Sequence, residues 1–364
     1  MGRFGVPGKT DEERMIMDRR QFLQSSGAVG TLASGLSAGS DAAPQQRTVQ
    51  PAESQQAESQ RNVGRPVRAV SIAFRPGLPL ERIAELVDQE GARGADIVTL
   101  PETCRGQDDK SRENLDGPTI SAMAALAKKH RTYIACPIDR EDGGRRFNSV
   151  VLLDRRGNVA FLYDKMYPVW QEECLKTPAV RPGESVAVHS ADFGRVGFAI
   201  CFDVNWAPVW QRLSDLGAEL VIWPSAYSAG KSLQARAVNY NYYVLSATWT
   251  PDCLIFDIDG DEIAHDSNNR GNGTNITRAT LDLDRCIFHQ DLNLPDKLDK
   301  LLKEKGEDVV REKWLPMEGW FVLKARRPGP SARELARQYG LEELRHYINR
   351  SRCEIDKSRG FVFS

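Results

Sequence analysis

Three residues of complementary chemistry each close an apolar, strand-like stretch of the chain. Glu102 ends IVTLPE, Lys165 ends NVAFLYDK and Cys201 ends RVGFAIC. A free thiol is mostly protonated at neutral pH, so it needs a base and a nearby positive charge to become a nucleophile. A carboxylate could take the proton, and an ammonium could favour the thiolate and then stabilise the oxyanion of a tetrahedral intermediate. The three residue types therefore raise the hypothesis of a catalytic triad.

Each member of this triad also has a purely structural interpretation. Cysteine is among the most frequently buried residue types, so Cys201 could be a small core residue. Glu102 could cap a helix, and Lys165 could be a surface residue leaving a strand. The residue types alone leave both interpretations open.

Strand-like and helical patterns alternate along the chain before these residues. Strands are predicted at 67–74, 97–100 and 133–138, helices at 80–93 and 119–129, and hairpins at 147–163 and 185–201. Such alternation indicates a sheet with helices packed on its face, and reactive groups in such folds gather where strands end. The segment GADIVTLP (94–101) also matches GAELVIWP (217–224) in pattern. This repeat favours two similar α/β halves whose sheets pack face to face, with helices outside.

Several motifs occur in the order typical of one enzyme family. They are LPE at Glu102, FLYDK at Lys165, GFAICFDVNW at Cys201, and then GAELVIWPSA, ARAVNYNYYVLSATW and LIFDIDGDEIAHD, between about residues 67 and 285. The chain resembles the nitrilase superfamily, the carbon–nitrogen hydrolases. The resemblance implies a four-layer α–β–β–α sandwich. It also implies Cys201 as nucleophile, Glu102 as general base and Lys165 as oxyanion support, with no metal or organic cofactor.

The same resemblance implies a small-molecule amide, N-carbamoyl or nitrile substrate, which the cysteine would hold as a thioester until water releases it. A nitrilase, an acyltransferase with an amine acceptor, and a non-catalytic binding protein are the alternatives. Family members often have a second glutamate after the lysine that helps to position the substrate. Glu172 and Glu173 are the candidates, and Glu172 is preferred as the substrate-positioning residue.

Some positions depart from the family pattern. Val209 follows Pro208 where a glutamate is common, Asn239 stands where a glutamate is usual, and Val204 and Asn205 occupy the stretch in which carbamoyl amidohydrolases can place an arginine. An arginine would grip a substrate carboxylate with two hydrogen bonds, and neither residue can replace it. The departures predict a remodelled pocket or subunit contact, and the missing arginine argues against N-carbamoyl amino acids.

The first residues resemble an export signal. Arg19 and Arg20 precede a Phe-Leu pair, a weakly apolar stretch and small residues, an order typical of a bacterial twin-arginine signal. Residues 1–43 are therefore predicted to be a signal segment, in which Met17 is an alternative start of the protein. The protein is predicted to be exported to the periplasm. A disordered basic tail is the alternative. Residues 44–66, rich in Gln, Ser and Pro, are predicted to be a disordered linker.

The rest of the chain is predicted to divide into a carbon–nitrogen hydrolase domain (67–289) and a C-terminal extension (290–364) that packs on this domain or on a partner subunit. The extension is predicted to be helical, with an amphipathic helix over 294–314 and a capping box at Ser331 that opens a second helix through Tyr339. Apolar helical faces of this kind predict a homodimer or larger assembly.

The overall composition limits the class of protein. The formal net charge is −1, which provides no field to attract nucleic acid, and no apolar run reaches the length needed to span a membrane. Neither nucleic-acid binding nor stable membrane insertion is expected. The seven cysteines and five histidines show no metal-binding spacing, so no metal site is predicted.

Overall fold

The computed structural model describes residues 63–250, 252–266, 273–292 and 295–360. The predicted signal segment, and the predicted linker up to residue 62, lie outside these residues. Within the described part of the chain, no helix is both long and apolar enough to cross a bilayer.

Fifteen strands and eight helices make up the described residues. The strands are β1 Pro66–Phe74, β2 Ile97–Thr99, β3 Tyr133–Asp142, β4 Arg145–Leu153, β5 Val159–Asp164, β6 Val188–Ala191, β7 Gly194–Phe198, β8 Leu220–Ser225, β9 Tyr243–Thr248, β10 Cys253–Phe256, β11 Glu262–Asp266, β12 Thr274–Asp282, β13 Cys286–His289, β14 Val309–Leu315 and β15 Trp320–Ala325. The helices are α1 Leu80–Ala92, α2 Pro118–His130, α3 Trp170–Cys174, α4 Ala207–Asp215, α5 Gly230–Tyr240, α6 Pro295–Lys305, α7 Ala332–Gln338 and α8 Leu344–Ser358.

Two six-stranded sheets form the body of the protein. The first has the strand order β12-β1-β2-β3-β4-β5, and the second has the order β11-β10-β9-β8-β7-β6. In each sheet the central strands run parallel, since Ala69 pairs with Ile97 in the first and Val196 with Leu220 in the second. The outer strands pair antiparallel.

Side chains of each sheet alternate between two cores, because successive residues of a strand point to opposite faces. On β2, Ile97 lies in the core between the sheets and Val98 packs against α1 and α2. On β8, Ile222 lies between the sheets and Trp223 packs beneath α4 and α5. The result is a four-layer α–β–β–α sandwich, which confirms the predicted fold class.

The two segments that match in sequence, 94–101 and 217–224, occupy equivalent places in the two sheets. Each contains the strand that pairs parallel to its predecessor, β2 or β8. Each begins with a glycine of positive φ, Gly94 at 82° and Gly217 at 77°, directly after a helix. Glycine reverses the chain there because it has no Cβ to clash in the left-handed region. The sequence repeat therefore marks two halves of similar topology.

The C-terminal extension is mixed rather than purely helical, which corrects the prediction. The helix expected over 294–314 ends at Lys305, and Val309–Leu315 instead form β14, antiparallel to β15. Gly306 weakens the helix, and the β-branched pair Val309 and Val310 favours an extended backbone. The second predicted helix is present as α7. Its N-cap, Ser331, accepts a hydrogen bond from the Glu334 N–H at 3.2 Å.

Candidate active site

The three residues of the hypothetical triad come from the ends of strands in both sheets. Glu102 follows β2 and Lys165 directly follows β5, both in the first sheet, whereas Cys201 follows β7 in the second. All three side chains are buried. The Lys165 Nζ lies 2.8 Å from Glu102 Oε1, and the Cys201 thiol lies within electrostatic reach of both charges. The structure thus brings the three residues together.

Glu172 completes a cluster around the lysine. Its Oε2 lies 2.7 Å from Lys165 Nζ, and the first turn of α3 carries the side chain into the interior. The neighbouring Glu173 is exposed on the other side of the helix turn. The structure therefore places Glu172, and not Glu173, at the candidate site.

Asn148 joins the two carboxylates, and the sequence patterns did not single it out. Its Nδ2 donates to Glu102 Oε1 and to Glu172 Oε1, both at 2.8 Å. Two carboxylate acceptors fix which atom of the amide is the nitrogen, and Oδ1 is left buried without a hydrogen-bond partner among the described residues. An amide side chain within the run FNSVVLL of β4, where the only other polar residue is Ser149, was the signal that could have identified it.

The nucleophile candidate sits in a strained turn. Cys201 has φ 45° and begins a 3₁₀ turn, Cys201–Asn205, as the chain leaves the second sheet. Few residues other than glycine adopt this region, and such conformations cost of order 1–3 kcal/mol, so the surrounding structure must hold them. Here Trp223 Nε1 donates to the Cys201 carbonyl oxygen at 3.0 Å.

Asp203 supplies the other support for this turn. Its carboxylate accepts hydrogen bonds from the Ile200 N–H at 2.8 Å, the Tyr163 hydroxyl at 2.8 Å and the Tyr167 N–H at 2.9 Å. Tyr163 belongs to β5 of the first sheet, and Tyr167 lies just beyond Lys165. Asp203 therefore ties the nucleophile turn to the segment that carries the lysine. Complete burial raises the pKa of Asp203 to about 6.

The charges of the site set the resting state of the thiol. Burial and the nearby Glu102 raise the pKa of Cys201 to about 12, although Lys165 acts in the opposite direction. At pH 7 only on the order of one thiol in 10⁵ is then ionised, so the sulfur needs a base in order to react.

The lysine and the second glutamate are stabilised in their charged forms. Burial alone would lower the pKa of Lys165, but the charges of Glu102, Cys201 and Glu172 outweigh it and raise the pKa. Burial alone would likewise raise the pKa of Glu172, yet Lys165 and the hydrogen bonds from Gln107 and Asn148 lower it. An ammonium between carboxylates is the stable arrangement.

The residues directly after Cys201, positions 202–205, include no arginine that could bind a substrate carboxylate. Val204 is buried and Asn205 donates its side-chain amide to the Phe202 carbonyl oxygen at 3.1 Å. The Arg236 guanidinium donates to the Val204 carbonyl oxygen at 2.8 Å, so it supports the turn from behind. Among the described residues no group of three or more His, Cys, Asp or Glu is placed to hold a metal ion.

This geometry agrees with a comparison of the sequence with known families. Residues 75–288 match the family model described as "Carbon-nitrogen hydrolase". The chain belongs to the carbon–nitrogen hydrolase family. The match covers the second sheet, the first sheet apart from β1, and the residues Glu102, Asn148, Lys165, Glu172 and Cys201.

Curated relatives of the family show moderate similarity. The nitrilase and fragile histidine triad fusion protein NitFhit of Drosophila melanogaster is 32% identical over 187 residues, which are 46% of this chain and 41% of that protein. A deaminated glutathione amidase of Synechocystis is 27% identical over 212 residues, or 50% of this chain and 76% of that protein. The omega-amidase NIT2 of Xenopus tropicalis is 24% identical, covering 46% of this chain and 68% of that protein.

Solved structures of the superfamily share the fold. Saccharomyces cerevisiae Nit3, a member of branch 10 of the nitrilase superfamily, superposes with a TM-score of 0.53 at 17% identity, covering 67% of this chain and 95% of Nit3. The Caenorhabditis elegans NitFhit protein gives a TM-score of 0.53 at 18% identity, covering 67% of this chain and 64% of that protein. At these identities the likeness establishes the architecture of the sandwich.

Proposed function

We propose that the protein hydrolyses the carbon–nitrogen bond of a small amide through a thioester on Cys201. The observation that carries the proposal is the buried Lys165 ammonium, which lies 2.8 Å from Glu102 and 2.7 Å from Glu172 beside the strained cysteine turn. Placing three ionisable side chains in the interior is costly unless their charges are used or compensated. A purely structural cluster would not need a thiol held at positive φ next to it.

Acylation begins with the thiol in its protonated form. Glu102 takes the proton from Cys201 Sγ as the sulfur attacks the carbonyl carbon, and the electron pair of the C=O bond moves onto the oxygen. Lys165 stabilises that oxyanion electrostatically. The intermediate collapses when the C–N bond breaks. The nitrogen takes the proton from Glu102 and leaves as ammonia or an amine.

Deacylation repeats the proton transfers with water as the nucleophile. Glu102 takes a proton from the water, whose oxygen attacks the thioester carbon. The second tetrahedral intermediate expels the sulfur, which recovers the proton from Glu102, and the carboxylic acid is released. The thiol and the carboxylate thereby return to their starting states.

Glu172 and Asn148 hold this machinery in place. Glu172 shares Lys165 with Glu102, and Asn148 donates one amide hydrogen to each carboxylate. The two residues therefore fix the distance between the base and the lysine. We propose Glu172 as the residue that also orients the substrate.

Primary amides are the substrate class that we favour. Two relatives carry amidase names, a deaminated glutathione amidase and an omega-amidase. N-carbamoyl amino acids are disfavoured because Val204 is buried, Asn205 donates to the backbone, and neither can bind a carboxylate as an arginine does.

Ammonia release from a panel of primary amides, N-carbamoyl compounds and nitriles tests the proposal. We expect turnover of amides by the wild type and a loss of at least about 10³-fold in Cys201→Ala, because the nucleophile is gone. Cys353→Ala, at an exposed position of α8, is the matched control and should be unaffected. Equal release by wild type and Cys201→Ala would make Cys201 a core residue. No release from any compound would favour acyl transfer to an amine or a non-catalytic role.

Export is proposed on the sequence alone, and assembly on the sequence together with the surface of α8. The twin-arginine pattern lies in residues 1–43, outside the described residues, and supports a periplasmic location. The apolar positions Ile348 and Ile355 of α8 are exposed and support a homodimer or larger assembly. A monomeric mass in light scattering would contradict the proposed assembly.

A further inference from the structure

A large cavity lies where the C-terminal extension meets the second sheet. Its volume is about 570 Å³, within the range of small-molecule sites. Gly194 and Arg195 at the start of β7 form one wall, and α7 and the start of α8 form the other. Cys201 follows the opposite end of β7, roughly 20 Å away along the chain, so the cavity is separate from the candidate active site.

Two guanidinium groups at this cavity share one carboxylate, that of Arg345 buried and that of Arg333 half-buried. Arg333 donates to Glu343 Oε2 and to two backbone carbonyl oxygens, so all of its nitrogens have partners. Arg345 lines the cavity with a side chain that is 6% exposed. Its Nη1 donates to the Ala218 carbonyl oxygen, but its Nε has no hydrogen-bond partner in the described part of the chain, and its ion pair with Glu343 Oε2 is 4.0 Å long. Around Glu343 the balance is therefore two cations to one anion.

The other carboxylates of the cavity have partners of their own, apart from one at the rim. Glu219 pairs with Arg65, which also lines the cavity, Asp192 pairs with Arg155, and Asp284 accepts from the Ser331 hydroxyl and the Ala332 N–H. Glu334 is exposed. Burial, and then the neighbouring Arg333, lower the pKa of Arg345, as expected for a cation that lacks a full counter-charge.

The backbone adds a second, independent feature that favours an anion. Helix α8 has 15 residues, its first residues line the cavity, and no side chain caps its N-terminus. An uncapped N-terminus directs free N–H groups and the positive end of the helix dipole at whatever lies in front of it. The exposed Arg195 and Arg337 lie at the rim of the same cavity.

We propose that this cavity binds a small anion bearing a carboxylate or phosphate group, with Arg345 as the buried counter-charge and Arg195 and Arg337 as rim contacts. The anion neutralises the charge that Glu343 leaves uncompensated. The guanidinium group of arginine is planar and permanently charged, and it can donate two parallel hydrogen bonds, so it suits both carboxylate and phosphate.

Thermal unfolding of the full chain at constant ionic strength tests the proposal, with inorganic phosphate and succinate compared against chloride. We expect phosphate or succinate to raise Tm by about 4 °C at a concentration a hundredfold above its Kd, and we expect no rise with chloride. A larger shift with phosphate identifies a phosphate-bearing ligand, and a larger shift with succinate identifies a carboxylate.

Variants of the cavity locate the effect. Arg345→Gln keeps a donor for the Ala218 carbonyl oxygen but removes the charge, and should abolish the shift. Arg337→Ala, at the exposed rim, should fold normally and weaken binding about tenfold by calorimetry. Arg350→Ala is the control, because Arg350 lies on the same helix and pairs with Glu342 at the surface. The proposal is overturned if neither anion stabilises the wild type more than chloride, or if both cavity variants keep the full shift.

Discussion

Two charge clusters of this protein, one buried and one partly buried, have opposite imbalances. Around Lys165, one ammonium lies between the carboxylates of Glu102 and Glu172. At the C-terminal cavity, two guanidinium groups, Arg333 and Arg345, share the carboxylate of Glu343. The first cluster has one negative charge too many and the second one positive charge too many. Accordingly, the pKa of Lys165 is raised and the pKa of Arg345 is lowered.

The comparison indicates what each cluster requires. In the first cluster, the carboxylate of Glu102 can accept a proton from Cys201, so the extra negative charge serves the reaction and no bound cation is needed to balance it. Each cluster also leaves one buried atom without a hydrogen-bond partner among the residues that the structure describes, Asn148 Oδ1 in the first and Arg345 Nε in the second. A neutral acceptor left unpaired costs about 1–3 kcal/mol, and an unpaired charged donor costs more. A bound ligand that pairs with the unsatisfied atom would therefore stabilise the protein more at the cavity than at the first cluster.

Lys165→Met breaks the first cluster and should have the largest effect. Two buried carboxylates lose their counter-ion, which should cost about 3–5 kcal/mol of unfolding free energy. Loss of oxyanion support should lower kcat by about 10²–10³-fold. Urea unfolding and ammonia release measure the two effects. Lys129→Met, whose ion pair with Asp88 is at the surface, should cost less than about 1 kcal/mol. A Lys165→Met enzyme with kcat within threefold of wild type would refute the assigned role.

Glu343→Gln breaks the second cluster and should affect stability alone. Removing the shared carboxylate leaves the buried Arg345 and the half-buried Arg333 without their counter-ion, and we expect a loss of about 3 kcal/mol in urea unfolding. Phosphate or succinate should restore part of this stability, since either supplies the missing negative charge. Turnover per folded molecule should not change. Glu334→Gln at the exposed rim is the control. A fall in kcat in Glu343→Gln would show that the two clusters are coupled.

Asn148→Asp sharpens the comparison by adding a third carboxylate to the first cluster. Losing the donors to Glu102 and Glu172 should lower kcat/KM by about 10–100-fold, or about 1–3 kcal/mol. The two neighbouring carboxylates raise the pKa of the new aspartic acid, and its neutral form, present below that pKa, can donate one hydrogen bond again. The pH optimum should therefore move to lower pH. Asn114→Asp, at an exposed loop position, is the control. An unchanged pH profile would show that Asn148 only fills space.

Much of the fold could be predicted from local patterns. Gly94 and Gly217 follow helices and precede Pro-terminated strands, so the two-sheet layout is visible in a match of eight residues. Glu102, Lys165 and Cys201 could be proposed because each closes an apolar run. Their side chains prove to be neighbours because β2, β5 and β7 end on the same side of the packed sheets.

Other features depend on contacts distant in sequence and could not be predicted. Asn148 is significant only because Glu102 lies 46 positions earlier and Glu172 lies 24 later. In the extension, the charged run 294–314 carries a helical pattern, but pairing with β15 draws Val309–Leu315 into a strand. Tertiary pairing overrides local propensity there.

The division of the triad between two sheets has a mechanical consequence. Glu102 and Lys165 are carried by one sheet and Cys201 by the other, with the packed intersheet core as the spacer. Among the described residues, one side-chain hydrogen bond joins the turn Cys201–Asn205 to β5, and it runs from the Tyr163 hydroxyl to the Asp203 carboxylate. The thickness of the core between the sheets therefore sets the distance from Cys201 to Glu102 and Lys165. A core substitution that separates the sheets by a fraction of an ångström should lower the turnover rate before it unfolds the protein.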